Sequence, residues 1–252
     1  MEHAHEQDPV EGVRAAAQIV ARVLREMGRA VRPGITTVEL DRLAETIIRD
    51  CGGRPAFKGY RGFPSTICPS INEEVVHGIP GRRALKEGDI IGVDVGAELN
   101  GWYGDAARTY PVGAVSEEAS CLMRVTEEAL HLGLMQARAG NRVGDISNAV
   151  QVHVENNGFA VVRDLVGHGI GREMHEAPAI PNYGPPGKGP RLIVGQLLAI
   201  EPMVNVGGAA VVTRSDGWTV ATKDGRWSAH FEHTVAVGPE RPEILSVLPD
   251  EQ

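Results

Sequence analysis

The sequence predicts an α/β (α+β) domain built from two similar halves that face each other across a shared site. Three observations predict it. Amphipathic helical stretches alternate with short apolar, strand-like runs along the chain. An ordered series then recurs: Gly34, Glu39, Leu40 and Gly52 match Gly140, Asp145, Ile146 and Gly158 at an offset of 106, and Leu85, Gly88 and Asp94 match Leu192, Gly195 and Glu201 at 107. Finally, each half places an acid at the same point of an apolar run, Asp94 in IIGVDVG and Glu201 in LLAIEPMV. A repeat of this length is too long for a solenoid unit. It reads as a duplicated unit over about 30–112 and 137–238, inside one domain spanning 10–250.

In chain order, residues 1–9 (MEHAHEQDP) read as a loose, flexible polar tail, whose His3 and His5 carry no site. Residues near 10–30 form an amphipathic helix, followed by the turn Pro33-Gly34. A second helix starts at Thr36, where Glu39 completes a capping box, and Gly52-Gly53 ends it. Strands with turns are expected over 65–79 and 89–112. Ser116 caps a helix running to about Ala139. The helix over 142–157 carries Val143, Ile146, Ala149, Val150 and Val154 on one face, and Gly158 stops it. The stretch PNYGPPGKGPR (181–191) reads as a flexible loop. Strands dominate near 160–167, 196–206, 209–214, 218–222 and 229–238.

Composition removes several function classes. The net charge of −8 argues against general nucleic-acid binding, which draws on Lys and Arg at phosphates. The apolar stretch from Val10 to Met27 is interrupted by Arg14, Arg22, Arg25 and Glu26, so no membrane span is expected there. Cys51, Cys68 and Cys121 are odd in number and form no CxxC pair; with no signal-peptide pattern at the N-terminus, a reducing, cytoplasmic compartment is expected.

The chemistry sits in the carboxylates. Asp94, Glu201 and Glu232 (in HFEHTVAV) all lie in apolar runs that hold no Lys or Arg. A buried carboxylate is costly unless it is paired or binds a cation. Asp105, in YGDAARTY, adds a fourth acid, for which Arg108 offers an alternative salt bridge. His168, between glycines in GHGIG, adds an imidazole. Four carboxylates and one imidazole suit two divalent metal ions, with Mn, Fe, Co or Zn favoured over Cu by the oxygen-rich set. Two such ions can clamp a water and lower its pKa.

The stretches INEEVVHGIP (71–80), GDIIGVDVGAELNGWYGDAARTY (88–110), GHGIGREMHEAP (167–178), LAIEPMV (198–204) and DGWTVATKDGRWSAHFEHTVAV (216–237) closely resemble the type 1 methionine aminopeptidases of peptidase family M24. The resemblance covers residues 10–245. It implies the pita-bread fold, two pseudo-symmetric halves around a dinuclear site. It places the metal ligands on Asp94, Asp105, His168, Glu201 and Glu232, with Asp105 and Glu232 bridging two ions of Co2+, Fe2+, Mn2+ or Zn2+. It makes Glu201, His175 and His77 catalytic: Glu201 exchanges the proton while a metal-bridging hydroxide attacks, and the two histidines contact the scissile amide. Tyr60, Phe63, Cys68, Met174 and Trp218 become walls of a methionine pocket. Met174, Phe57 and His230 depart from the family's usual residues. The implied partners are nascent polypeptide N-termini, preferably with a small second residue, and transiently the ribosome; the implied state is a monomer. Two alternatives stand beside this reading: an Xaa-Pro-type aminopeptidase, which carries a large extra N-terminal domain, and a non-catalytic pita-bread binding protein, which loses ligands. Glu201 and Glu232 are 31 residues apart, which leaves no room for the long insertion of type 2 enzymes.

Overall fold

The computed structural model describes residues 8–251. Its main elements run in chain order as α1 (Pro9–Ala30), α2 (Thr37–Asp50), β1 (Arg54–Pro55), β2 (Ile67–Ile71), β3 (Glu74–Val76), β4 (Ile90–Leu99), β5 (Trp102–Pro111), α3 (Glu117–Leu134), α4 (Val143–Asn156), β6 (Ala160–Val161), β7 (Val166–Gly169), β8 (Glu176–Pro181), β9 (Leu197–Ile200), β10 (Met203–Asn205), β11 (Val211–Thr213), β12 (Val220–Thr222), β13 (Ser228–His230), β14 (His233–Ala236) and β15 (Glu243–Ile244). Residues 1–7 of the expected tail lie outside the described residues, while Asp8 and Pro9 belong to α1: Asp8 accepts a hydrogen bond from the Val10 amide as its cap.

In the first half, β4 pairs antiparallel with β1, β2 and β5. The β4–β5 hairpin turns at Asn100-Gly101, both with positive φ, which a two-residue hairpin turn requires. Helix α1 lies close on β5 because Gly104 has no side chain; a Cβ there would stand 2.4 Å from the Ala17 nitrogen. Leu40, Ile48, Ile91 and Val93 are fully buried between α1, α2 and β4. In the second half, the sheet order is β15-β14-β9-β7-β8, covered by α3 and α4 through Leu122, Leu130, Ile146 and Val150.

The duplication extends to individual hydrogen bonds. Gly34 N donates to Leu85 O (2.8 Å), and Gly140 N to Leu192 O (3.1 Å). Gly88 N donates to Val112 O (2.9 Å), and Gly195 N to Val237 O (2.8 Å). One arm of the α2 capping box recurs at α4: Glu39 Oε2 accepts from Thr36 N (2.8 Å), and Asp145 Oδ2 accepts from Arg142 N (2.7 Å). The halves meet along a seam between β5 and the β13–β14 segment. Thr109 Oγ1 donates to His230 O (2.8 Å) and accepts from His230 N (3.0 Å). Thr234 Oγ1 does the same with Asp105 O (2.7 Å) and Asp105 N (3.1 Å). Glu232 N reaches Ala107 O (2.9 Å) between the two clasps.

Three local expectations change. Helix α3 ends at Leu134, short of Ala139, because the chain leaves through tight turns at Gln136 and Ala137 and Ala139 N bonds to Gly238 O (2.8 Å). The loop over 181–191 is tied down: Gly187 N donates to Asp145 Oδ1 (2.8 Å), Gly144 N to Lys188 O (2.9 Å) and Arg142 to Gly189 O (2.7 Å). Strand β8, missed in the sequence because its EAPAIP run shows little alternation, pairs with β7. No helix among the described residues is long and apolar enough to cross a membrane.

Candidate active site

The strand register collects the acids. Gly96 pairs with Asp105 and Asp94 with Ala107, so Asp94 and Asp105 sit two rungs apart on one face of the β4–β5 hairpin. His168 lies on β7, opposite Ala199, and Glu201 follows β9 directly. Glu232 enters just before β14, its backbone bonded to Ala107 across the seam. The glycines beside His168 permit close strand contact: a Cβ on Gly169 would stand 2.3 Å from Ala177 O, and one on Gly167 2.5 Å from Ala199 O.

Asp94, Asp105, His168, Glu201 and Glu232 all line one cavity of about 150 Å³. One ligand atom from each of Asp105, His168 and Glu232 lies within 4.8 Å of the others. His168 Nε2 stands 3.6 Å from Glu201 Oε1 and 4.0 Å from Asp105 Oδ2. His168 Nδ1 lies 2.9 Å from Gly169 O, so Nδ1 carries the proton and the Nε2 lone pair faces the acids. Arg108 does not neutralise Asp105; it pairs with Glu127 at 3.1 Å.

These residues fit divalent cations. Asp94 Oδ1, Asp105 Oδ1 and Glu232 Oε1 are buried without a hydrogen-bond partner among the described residues. Burial pushes Asp94 up to about 7. Burial, then the charges of Glu232 and Asp94, raises Asp105 well above the carboxylate range. Burial and neighbouring carboxylates raise Glu201 and Glu232 likewise. Four buried acids crowded together with no Lys or Arg bonded to them are a strongly unfavourable arrangement that cations relieve.

Beside the acids, the same cavity is lined by Phe57, Tyr60, Phe63, Cys68 and Trp218. Phe63 and Trp218 meet edge to face with centroids 5.2 Å apart. Cys68 pairs with Asp94 across β2 and β4, and burial pushes its thiol well up, so it serves as an apolar wall. Met174 does not line the cavity. It is 1% exposed and packs in one cluster with Phe57, Phe63 and Cys68, with its methyl over Gly96.

His77 and His175 both reach the cavity. The Tyr60 hydroxyl lies 3.0 Å from His175 Nδ1 with the rings stacked, and the His175 and His168 ring centroids are 4.2 Å apart. Burial, then the His168, Arg61 and His77 charges, lowers His175 to about 4, and burial lowers His77, so both rings are neutral at pH 7. Phe57, singled out in the sequence only as a departure, forms part of the apolar wall. His230, another departure, is buried with Nε2 3.7 Å from Glu201 Oε2. Arg61 also lines the cavity and was not foreseen; the signal available was its place between Gly59 and Gly62, which bracket a tight turn.

Comparison with known proteins extends the geometry. The profile of metallopeptidase family M24 matches residues 11–239. A methionine aminopeptidase of Clostridium perfringens is 53% identical over 242 residues, covering 96% of this chain and 97% of the relative. Methionine aminopeptidase 1 of Bacillus subtilis is 54% identical, covering 93% and 94%. The crystal structure of a methionine aminopeptidase from Thermotoga maritima superposes with a TM-score of 0.95 at 46% identity, over 98% of this chain and 100% of that one. An X-Pro aminopeptidase from the same organism shares the fold alone, at 23% identity and a TM-score of 0.75, and this chain covers 62% of it. Similarity of this depth, over nearly the full length of both partners, places the chain in metallopeptidase family M24 and, within it, among the methionine aminopeptidases.

Proposed function

We propose that this protein removes the initiating methionine from newly made polypeptides, preferably when the second residue is small, and does so with two divalent ions held by Asp94, Asp105, His168, Glu201 and Glu232. The observation that carries the reading is one cavity with an apolar, mostly aromatic half (Phe57, Tyr60, Phe63, Cys68, Trp218) and an acidic half. A methionine side chain fits the first, and the amino end of its chain meets the second.

Bound divalent ions supply Lewis acidity and a water made nucleophilic at neutral pH; Co2+, Fe2+, Mn2+ and Zn2+ all suit the donor set. The protein's own groups do the rest. Water oxygen attacks the first peptide carbonyl, and its proton passes to a Glu201 carboxylate oxygen. His175, neutral and accepting the Tyr60 hydroxyl at Nδ1, keeps an Nε2–H donor for the developing oxyanion. His77 holds the scissile amide nitrogen. Glu201 then returns the proton to that nitrogen as the C–N bond breaks, releasing free methionine and a shortened polypeptide. We assign the catalytic unit to a single domain over residues 10–250, acting in the cytoplasm as a monomer on nascent N-termini and meeting the ribosome transiently.

The test is release of methionine from Met-Gly-Met-Met and from a peptide with Leu second, using metal-stripped protein with Mn2+, Fe2+, Co2+ or Zn2+ restored. Metal-dependent release from the first peptide, weak release from the second, and loss in Asp94→Ala support the assignment. Folded protein inactive with every metal refutes it.

A further inference from the structure

The acid-rich cavity carries one cation. Among its thirteen lining residues Arg61 is the single Lys or Arg. Arg61 is exposed, and its guanidinium lies 5.3 Å from the centroid of the Tyr60 ring, the ring that stacks on His175. Its side chain makes no hydrogen bond or ion pair among the described residues and rests against the Tyr60 ring. Its backbone is equally unusual. Arg61 has φ 48 and ψ 21, a left-handed conformation that glycine takes without strain and arginine does not. The turn is held by Tyr60 N to Phe57 O (2.9 Å) and Phe63 N to Tyr60 O (2.9 Å), so this strain fixes where the side chain leaves the surface. A strained backbone beside a reaction site points to a side chain in use.

A second, open cleft shares Tyr60 as a wall and is lined by Arg49, Arg54 and Lys58. Arg49 and Lys58 share Glu45, and Arg54 takes Glu98, so three cations face two acids there. On a chain of net charge −8, the rim around Tyr60 is locally positive. Two divalent ions would neutralise the four site carboxylates, leaving Arg61 as the uncompensated charge at the mouth.

We infer that Arg61 is a specificity residue that reads the charge of the substrate downstream of the scissile bond, favouring polypeptides with Asp or Glu at the third and fourth positions over those with Lys or Arg. The inference rests on the proposed removal of N-terminal methionine. With the methionine side chain in the aromatic half, the following residues leave through the mouth past Tyr60 and Arg61, each extended residue advancing about 3.3 Å. An exposed charge pair changes binding by roughly 1.4- to 5-fold. Exchanging an acidic for a basic pair of residues reverses the sign, so the total preference should be about five-fold or more.

The test compares kcat/KM for Met-Gly-Asp-Asp, Met-Gly-Met-Met and Met-Gly-Lys-Lys at low ionic strength. The enzyme is metal-loaded wild type, Arg61→Gly, Arg61→Lys and Arg61→Glu. The glycine variant removes the charge and suits the turn, which guards against misfolding. The expected acidic-to-basic ratio is about five in wild type and retained in Arg61→Lys. It collapses towards one in Arg61→Gly and in wild type at 0.5 M salt, and inverts in Arg61→Glu. A wild-type ratio near one, or a ratio unchanged in Arg61→Gly, overturns the inference. No methionine released from any of the three peptides overturns the underlying activity instead.

Discussion

Replacing Thr234 by Val should destabilise the protein far more than the loss of a hydroxyl suggests. Thr234 is 0% exposed, and its Oγ1 both accepts from Asp105 N and donates to Asp105 O. Valine has nearly the same shape, so packing is retained. What is lost is the partner of two backbone groups that water cannot reach. A buried orphaned donor or acceptor costs about 1–3 kcal/mol, so the pair costs roughly 2–6 kcal/mol. That is a large share of the roughly 5–15 kcal/mol that holds a domain together. For a chain of this size it corresponds to a fall in Tm of about 4–24 °C. The seam's internal symmetry supplies the control: Thr109, 3% exposed, clasps His230 in the same way, so Thr109→Val should cost a similar amount. Thr234→Ser keeps the hydroxyl and should lose only the methyl, about 1 kcal/mol. The assay is urea unfolding of metal-stripped protein, which separates the clasp from metal binding. If Thr234→Val lies within about 0.5 kcal/mol of wild type, which is the scatter of an ordinary surface change, the clasp is not what joins the halves.

Other expectations follow from the same geometry. Adding Mn2+ or Co2+ at a hundred times its Kd to metal-stripped protein should stabilise it by about 2.7 kcal/mol. Thermal melts should show that gain vanish in Asp105→Asn, and a gain that survives would remove Asp105 from the ligand set. Gly169→Ala puts a Cβ 2.3 Å from Ala177 O, so β7 must move and carry His168 with it; metal titration should show affinity reduced by about ten-fold or more, as when a ligand's support is lost, and unaltered affinity would mean the strand yields elsewhere. Asp41 accepts from the Thr66 and Ile67 amides, yet burial raises its pKa above 3.8. Its contribution to stability is therefore full at acid pH and is lost as pH rises through the folded value. Asp41→Asn keeps an acceptor oxygen without that loss, so unfolding curves should favour the variant progressively from pH 4 to pH 7; a gap independent of pH would contradict the shift.

The repeat shows why the sequence disclosed one part of the site and hid another. Apolar strands cannot carry acids without a reason, so Asp94, Glu201 and Glu232 stood out against the hydrophobic effect itself. The 106–107 offset was legible because it runs through a helix, its glycine stop and a strand, each with a strong local signature. It ends at Glu201, since the two hairpins are closed differently. In the first half Asn100-Gly101 joins β4 to β5 directly, whereas in the second the chain makes β10 to β13 between β9 and β14. Beyond that insertion the equivalence continues at an offset of 125, linking Thr109 to Thr234 and Val112 to Val237. A threonine in a strand carries no mark of its task, so the clasps become visible only when both halves are in place. Met174 and Arg61 are hard to read from sequence for a related reason. Position in a motif places a residue near the site, but whether its side chain enters depends on what fills the space first. Met174 is buried in the cluster of Phe57 and Phe63, and the left-handed backbone at position 61 delivers an arginine to a mouth that no hydrophobic period describes. Function in this fold is therefore most legible where a residue violates its surroundings, as a buried acid does, and least where it satisfies them, as Thr234 does.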